Sequence, residues 1–384
     1  MNDQRHLFTL PEDIHFINCA YMSPLLKTVE EVGVSAIYLK RNPVLIPPVS
    51  FFTQTEIIKE KYARLVKAPD FKQVAMINAA SYGMATAIKN APDNKRHKAI
   101  TIAEEFPSTV YSLRRWCKTH NAKLEMVKPP NYRENRGKIW NERLLDAIDQ
   151  DTAMVAMSMV HWADGTLFDM EAIGKRCKEM GAMLIVDGTQ SVGAYPIDVQ
   201  KMNIDALVTP AYKWMMGPYG SGCAYYSERF NEGIPLEESW LNRANAKDFS
   251  ALTNYTDDYM PGAARYNMGE FSSFIHLPML EKSIDQLLAW TPEFIQSYCR
   301  ELTIPLMEFL NNNEFAIEHC DYRADHLFGF YLPSFINKHQ LVDQLAERKV
   351  MVSLRGDAIR VSPHVYNNEL DIQALISCLR DQLQ

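Results

Sequence analysis

What this sequence lacks narrows its class first. It has no run of about twenty apolar residues, so no membrane-spanning helix is expected. The opening stretch, MNDQRHLFTLPEDIHF, carries no apolar segment of the kind found in a secretory leader, and no signal peptide is expected. The seven cysteines, at 19, 117, 177, 223, 299, 320 and 378, are odd in number and include no Cys-x-x-Cys pair. That pattern disfavours a disulfide framework or a zinc site and fits reduced thiols in the cytoplasm. There is no internal repeat and no low-complexity segment. The formal charge of -7 is mildly acidic and argues against a nucleic-acid partner.

What is present is the composition of a folded chain. Of 384 residues, 47% are hydrophobic and 23% charged, enough to bury a large core. The most informative stretch is 183–226, MLIVDGTQSVGAYPIDVQKMNIDALVTPAYKWMMGPYGSGCAYY. The apolar run 183–186 reads as a buried strand that delivers Asp187 at its carboxyl end. A second strand-like run, 206–208, leads to Tyr212 and Lys213, and a glycine-rich turn over 217–222 separates Lys213 from a third strand, 223–226. In an open α/β sheet, ligands bind at strand ends. Taken singly, a lysine after a strand is most often a solvated surface residue, and an aspartate at a strand end is often a helix cap.

Elsewhere apolar spacing predicts helices over 28–39, 52–65, 108–120, 141–148 and 169–180, two between 279 and 311, and one over 338–348. Strands are expected over 101–106, 152–160, 316–317, 328–332 and 350–354, and residues 14–25 read as a short strand entering a loop. The polar stretch 129–138 reads as a loop. Over 74–88 a β-rich run gives way to Ala79-Ala80-Ser81 and then a helix. Backbone N–H groups at such a start make an anion site, although an Ala-Ala-Ser turn is ordinary at any helix N-terminus.

Asp187-Gly-x-Gln190-Ser-x-Gly, then Asp198 and Asp205, then Lys213-Trp-x-x-Gly-Pro-x-Gly-x-Gly, resembles the class V branch of the fold type I pyridoxal-phosphate (PLP) enzymes. The resemblance covers nearly the whole chain. It implies an α/β fold of the fold type I PLP-dependent transferase class. A large domain over 18–275 would hold a mainly parallel seven-stranded sheet flanked by helices. A small α/β C-terminal domain over 276–384 would take the N-terminal arm, 1–17. It also implies pyridoxal 5'-phosphate as cofactor, no metal, an amino-acid substrate and a homodimer.

Under this resemblance Lys213 is the Schiff-base amine and later a base, and Asp187 keeps the ring nitrogen protonated. Gln190 donates to the ring's phenolic oxygen, Ala80 and Ser81 hold the phosphate, Tyr212 adds its hydroxyl there, and Phe106 stacks on the ring. Arg360 clamps the substrate α-carboxylate, which suits a planar guanidinium. His161, Asn18 and Tyr21 are candidate substrate contacts, and His161 is also a candidate acid/base group. A packed core histidine, and for Asn18 and Tyr21 a tied-down surface arm, are the plain alternatives. The segment 265–270 is similar to the family motif that reaches the partner subunit's phosphate, but Glu270 stands where a Thr is usual and would repel a phosphate.

Desulfurases of this superfamily carry a nucleophilic cysteine shortly before the carboxylate arginine, and the interval 351–359 has none. With VHWADGTLFDMEAI over 160–173, this points to the kynureninase and isopenicillin N epimerase-like branches rather than the desulfurases. The expected reaction is aminotransfer. Epimerisation or racemisation and kynureninase-like lyase chemistry remain open, and desulfuration is less favoured. An inactive PLP-binding paralogue is disfavoured, because Lys213, Asp187 and Arg360 are all present.

Overall fold

The structure is a computed structural model that describes residues 3–92, 96–131 and 135–383. Of the loop expected over 129–138, residues 132–134 lie outside the described residues, as do residues 1–2 of the N-terminal arm.

The chain begins with β1 (His15–Phe16), α1 (Lys27–Lys40), α2 (Thr53–Val66), β2 (Val74–Ile77) and α3 (Ala80–Lys89). Strands and helices then alternate through β3 (Lys98–Ile102), α4 (Pro107–Thr119), β4 (Lys123–Val127), α5 (Arg136–Ala147), β5 (Thr152–Ser158), α6 (Met170–Met180) and β6 (Met183–Asp187). Next come β7 (Ala206–Pro210) and β8 (Gly222–Tyr226), then α7 (His276–Trp290) and α8 (Pro292–Asn312). The C-terminal part holds β9 (Ala316–Ile317), β10 (Phe328–Tyr331), α9 (Lys338–Glu347), β11 (Val350–Met351), β12 (Ser353–Arg355), β13 (Ala358–Val361) and α10 (Glu369–Asp381).

Seven strands form one sheet in the order β2-β8-β7-β6-β5-β3-β4. Only β8 runs antiparallel to its neighbours, so the sheet is mainly parallel, as expected. Six of its strands are buried at every residue, which explains their near-continuous apolar runs. Ile77, Met154, Ile185 and Val208 pack with Met84 and Ile88 of α3 and Leu113 and Trp116 of α4. The alternate strand residues Met76, Val155, Val186 and Leu207 share a core with Tyr62 of α2, Trp140 of α5, Ile173 of α6 and Leu280 of α7. Helices therefore cover both faces and leave the carboxyl edge of the parallel strands for a site.

Several elements differ from the sequence reading: α5 begins at Arg136, inside the stretch read as a loop, and α10 was not expected. The strand expected over 101–106 lies earlier, because β3 ends at Ile102 and Glu104 adopts a left-handed backbone with φ of 60°. Glu105 and Phe106 thereby sit beyond the strand end, leading into α4. β4 was not foreseen, since its edge position leaves Lys123 exposed and gives no apolar run to read.

The C-terminal part has a separate core. Four antiparallel strands, in the order β12-β13-β10-β9, are covered by Leu306 and Leu310 of α8, Leu341 of α9 and Leu375 of α10. The N-terminal segment joins it. β1 pairs in parallel with β11, His15 beside Val350, and Asn18 forms a bridge with Ser362. Arg5 and His15 both meet Asp371 of α10, at 3.4 and 2.8 Å.

Candidate active site

The parallel strands deliver chemistry to one edge. β6 ends on Asp187, and its register neighbour at the end of β5 is Ser158. The chain after β7 turns through Ala211 and Tyr212 to Lys213. Between them lies a pocket of about 230 Å³. Ala80, Ser81, Phe106, Asp187, Gln190, Tyr212 and Lys213 all line it, so seven residues from four separate stretches of sequence meet there.

Lys213 is buried. Burial pushes its amine down to about 8, the nearby Arg360 charge adds to the shift, and Asp187 opposes it. Near neutral pH a useful fraction is therefore the free amine. Its Nζ lies 5.6 Å from the Tyr212 ring centroid, and that ring packs on Tyr219 at 4.6 Å. Asp187 is also buried, and burial raises its proton affinity, against the Thr189 hydrogen bonds and the Lys213 charge. Both Thr189 donors, the backbone N–H at 2.9 Å and the hydroxyl, go to Oδ1. Oδ2 has no donor among the described residues.

At the opposite end, α3 starts at Ala80, and Ala79 before it offers no side-chain cap. The amides of Ala80 and Ser81 donate to no backbone or side-chain group among the described residues. A helix start of this kind, lined by small residues, is suited to a phosphate. By contrast α6 is capped by Asp169, which accepts from the Ala172 amide at 3.0 Å.

Other expected residues are less free. Gln190 accepts the Trp214 indole N–H at 2.8 Å and donates to the Ala20 carbonyl at 3.3 Å, so part of its donor capacity is taken. Phe106 is 43% exposed and meets Trp162 edge-on, with centroids 5.7 Å apart. Arg360 of β13 is buried outside the lining. Its guanidinium donates to the Trp162 carbonyl at 2.7 Å and to Ser353 at 3.4 Å, and its Nε has no partner. Asn18 accepts from the Ser353 hydroxyl at 2.9 Å, and Tyr21 is exposed.

His161 requires a correction. It does not line the pocket, and it is fully buried, edge-on to Trp140. Nδ1 lies 2.8 Å from Asp164 and Nε2 lies 3.2 Å from the Glu104 carbonyl, so neither ring nitrogen is free for a substrate. The plain alternative, a packed histidine, describes it.

Sequence reasoning missed Glu105, Ser158, Thr189 and Trp162. Trp162 lines the pocket and donates its indole N–H to the Glu104 carbonyl at 2.7 Å. Thr189 had a readable signal, a hydroxyl two residues after the strand-end acid. The contact between Glu105 and Ser158 had none, because it depends on β3 lying beside β5.

The donor set fits pyridoxal 5'-phosphate. It offers an amine with a depressed pKa, a carboxylate with one free oxygen, and an uncapped helix start for an anion. A mainly parallel sheet presenting these groups at its carboxyl edge defines the fold type I PLP-dependent transferases. The sequence model for the class-V aminotransferases matches residues 49–377, and the chain belongs to that family, whose cofactor is pyridoxal 5'-phosphate.

Among its relatives, a probable cysteine desulfurase of Pyrococcus abyssi (strain GE5 / Orsay) is 25% identical over 416 residues, covering 96% of this chain and 94% of that protein. The uncharacterized aminotransferase YcbU of Bacillus subtilis (strain 168) is 21% identical over 383 residues, covering 97% and 95%. The cysteine desulfurase CsdA from Escherichia coli superposes with a TM-score of 0.80 at 16% identity, covering 99% of this chain and 97% of that one. The cystine C-S lyase C-DES, in complex with cysteine persulfide, does so with a TM-score of 0.82 at 16% identity, covering 97% and 98%. The fold is shared with both. The expected distance from the desulfurase branch finds no support in these comparisons.

Proposed function

We propose that this chain is an aminotransferase acting on a small L-amino acid. The observation that carries the reading is a pocket that joins Lys213 and Asp187 and has no cysteine in its lining. Six of the seven thiols are buried, and the seventh, Cys320, is exposed elsewhere. No thiol lines the pocket, and Cys19, the thiol whose charge acts on Lys213, is buried outside the lining, which favours aminotransfer over desulfuration.

The cofactor, when bound, supplies an electron sink for charge that develops at the substrate α-carbon. The protein does the rest. The amides of Ala80 and Ser81 and the Tyr212 hydroxyl bind the phosphate. Asp187 Oδ2 holds a proton at the ring nitrogen. Lys213 Nζ would be the covalent anchor, and as a free amine it would take the proton from the substrate α-carbon. Arg360 is assigned to the α-carboxylate for its planar guanidinium, and it would exchange its bonds to the Trp162 carbonyl and Ser353 for that ligand. Trp162 and Phe106 wall the pocket. We further propose that two copies pair, that the N-terminal arm serves the small domain, and that Asn18 and Tyr21 border the substrate entrance. Among the described residues no helix is long and apolar enough to cross a membrane.

The test mixes PLP-loaded protein with a panel of amino acids while reading visible absorbance and 2-oxo acid release. Aminotransfer predicts loss of the visible band together with one 2-oxo acid per site. If no amino acid does this, the reading is wrong. Solvent deuterium at the α-carbon of recovered amino acid would point to epimerisation, and loss of the side chain to a lyase. Borohydride trapping is expected to add the cofactor mass to the peptide bearing Lys213, and Lys213→Ala is expected to fold, bind PLP reversibly and trap nothing.

A further inference from the structure

Beside the carboxylate that faces the pocket lies a second one that the aminotransferase reading leaves unused. Glu105 is buried. Its Oε1 accepts from the Phe106 amide and the Ser158 hydroxyl, each at 2.6 Å, and its Oε2 accepts from the Ser158 amide at 2.6 Å. Ser158 is the register neighbour of Asp187 on the adjacent strand. Three donors fix Glu105 in one orientation and favour its ionised form. Burial acts the other way, raising its proton affinity, and the Asp187 charge adds to that. Both acids are buried, one bonded to Ser158 and the other on its register neighbour, and like charges in a water-poor region repel when both are ionised.

We propose that Glu105 is a positioning residue that acts through Asp187: anchored on Ser158, its buried charge holds a proton on the pair formed by Asp187 and the cofactor's ring nitrogen. This rests on the reading of the pocket as a PLP site. Other charges face the two acids. Lys213 faces Asp187, with Arg360 and Arg355 acting on Lys213 in turn, and Tyr212 adjoins Asp187. His161 faces Glu105 and is itself locked to Asp164, with Arg136 nearby. With these cations in place, removing the negative charge of Glu105 leaves the surroundings more positive and the proton more easily lost.

The test loads the protein with PLP labelled with 15N at the ring nitrogen and titrates it from about pH 5 to about pH 10 while the 15N chemical shift is read. Glu105→Gln is expected to lower the midpoint by on the order of one pH unit. Glu105→Asp keeps the charge and is expected to hold the midpoint within a few tenths of a unit. If Glu105→Gln gives no soluble protein, Glu105→Ser removes the charge, leaves an acceptor for the neighbouring amides, and carries the same expectation. An unchanged midpoint in the neutral variants overturns the role of Glu105 alone. Failure of the unsubstituted protein to take up PLP on Lys213 overturns the reading of the pocket as well, so the two failures are distinguishable.

Discussion

Asp164 and Asp187 are both buried aspartates near the carboxyl edge of the sheet, and they are treated oppositely. Asp164 receives Arg136 at 2.7 Å, His161 at 2.8 Å, the Thr166 amide at 3.1 Å and hydroxyl at 2.9 Å, and the Tyr331 hydroxyl at 3.1 Å. Burial would raise its proton affinity, but His161 and Arg136 outweigh it and hold the carboxyl well below the usual carboxylate range. Asp187 receives only Thr189, on one oxygen, and burial prevails. Equal burial thus produces opposite proton affinities, and the neighbours decide the sign. A fully partnered buried acid is a structural joint. A buried acid short of donors has room for a cationic ligand, the role proposed for Asp187.

The comparison breaks most visibly at Asp164. Asp164→Asn leaves Arg136 and His161 buried without their counter-charge and is expected to cost about 3–5 kcal/mol in urea unfolding. Because the folded carboxyl titrates below its unfolded value, this contribution is present above about pH 4 and is lost only as pH falls through the depressed folded value. A loss under about 1 kcal/mol would erase the distinction between the two acids.

Asp187→Asn is expected to act in the other direction. Turnover falls by about 10²-fold or more, equivalent to about 2.7 kcal/mol of transition-state stabilisation, while the fold is as stable or more so. The sign follows from the raised folded value: the folded state holds the Asp187 proton more tightly than the unfolded chain. Its ionised form therefore costs stability above that value, and the cost is relieved as pH falls. The stability advantage of the variant should shrink in acid, as unfolding curves at several pH values would reveal.

The buried histidines extend the contrast with a smaller effect. Asp164 raises His161 against the opposing effect of burial. Among the described residues His364 has no hydrogen-bond partner on either ring nitrogen, and burial, with His326 beside it, pushes it down to about 3. The unfolded chain binds that proton from about pH 6.5 downward, so His364 erodes stability as pH falls toward its folded value. His364→Phe is expected to flatten the acid limb by about 1.4 kcal/mol per pH unit between about pH 6 and 4 and to change stability by about 1 kcal/mol or less at neutrality.

The sequence made one side of this contrast readable. Asp187 and Lys213 follow apolar runs at a recognisable spacing, and Ala80 and Ser81 open a helix after a buried strand. Those signals are local, and all seven residues expected at the cofactor came to line one pocket. The other side was hidden. His161 and Asp164 are three residues apart, but Arg136 enters from α5 and Tyr331 from β10, and no local pattern encodes that meeting. Without it, a histidine after a strand end looked like a substrate contact. Glu105 was hidden for a related reason: the strand was read as running to 106, whereas the left-handed Glu104 ends it early.

The pairing of β1 with β11 also bears on how the chain is made. His15 and Phe16 are translated long before their partners Val350 and Met351. Ile17, which shares a core with Val350 and with Leu375 of α10, lacks those core partners until they have been made. Contacts this distant in sequence close slowly and leave apolar surface open to chaperones in the interval. Release of a chain stopped before β11 would free a molecule whose parallel sheet has been translated but whose N-terminal strand has nothing to bind.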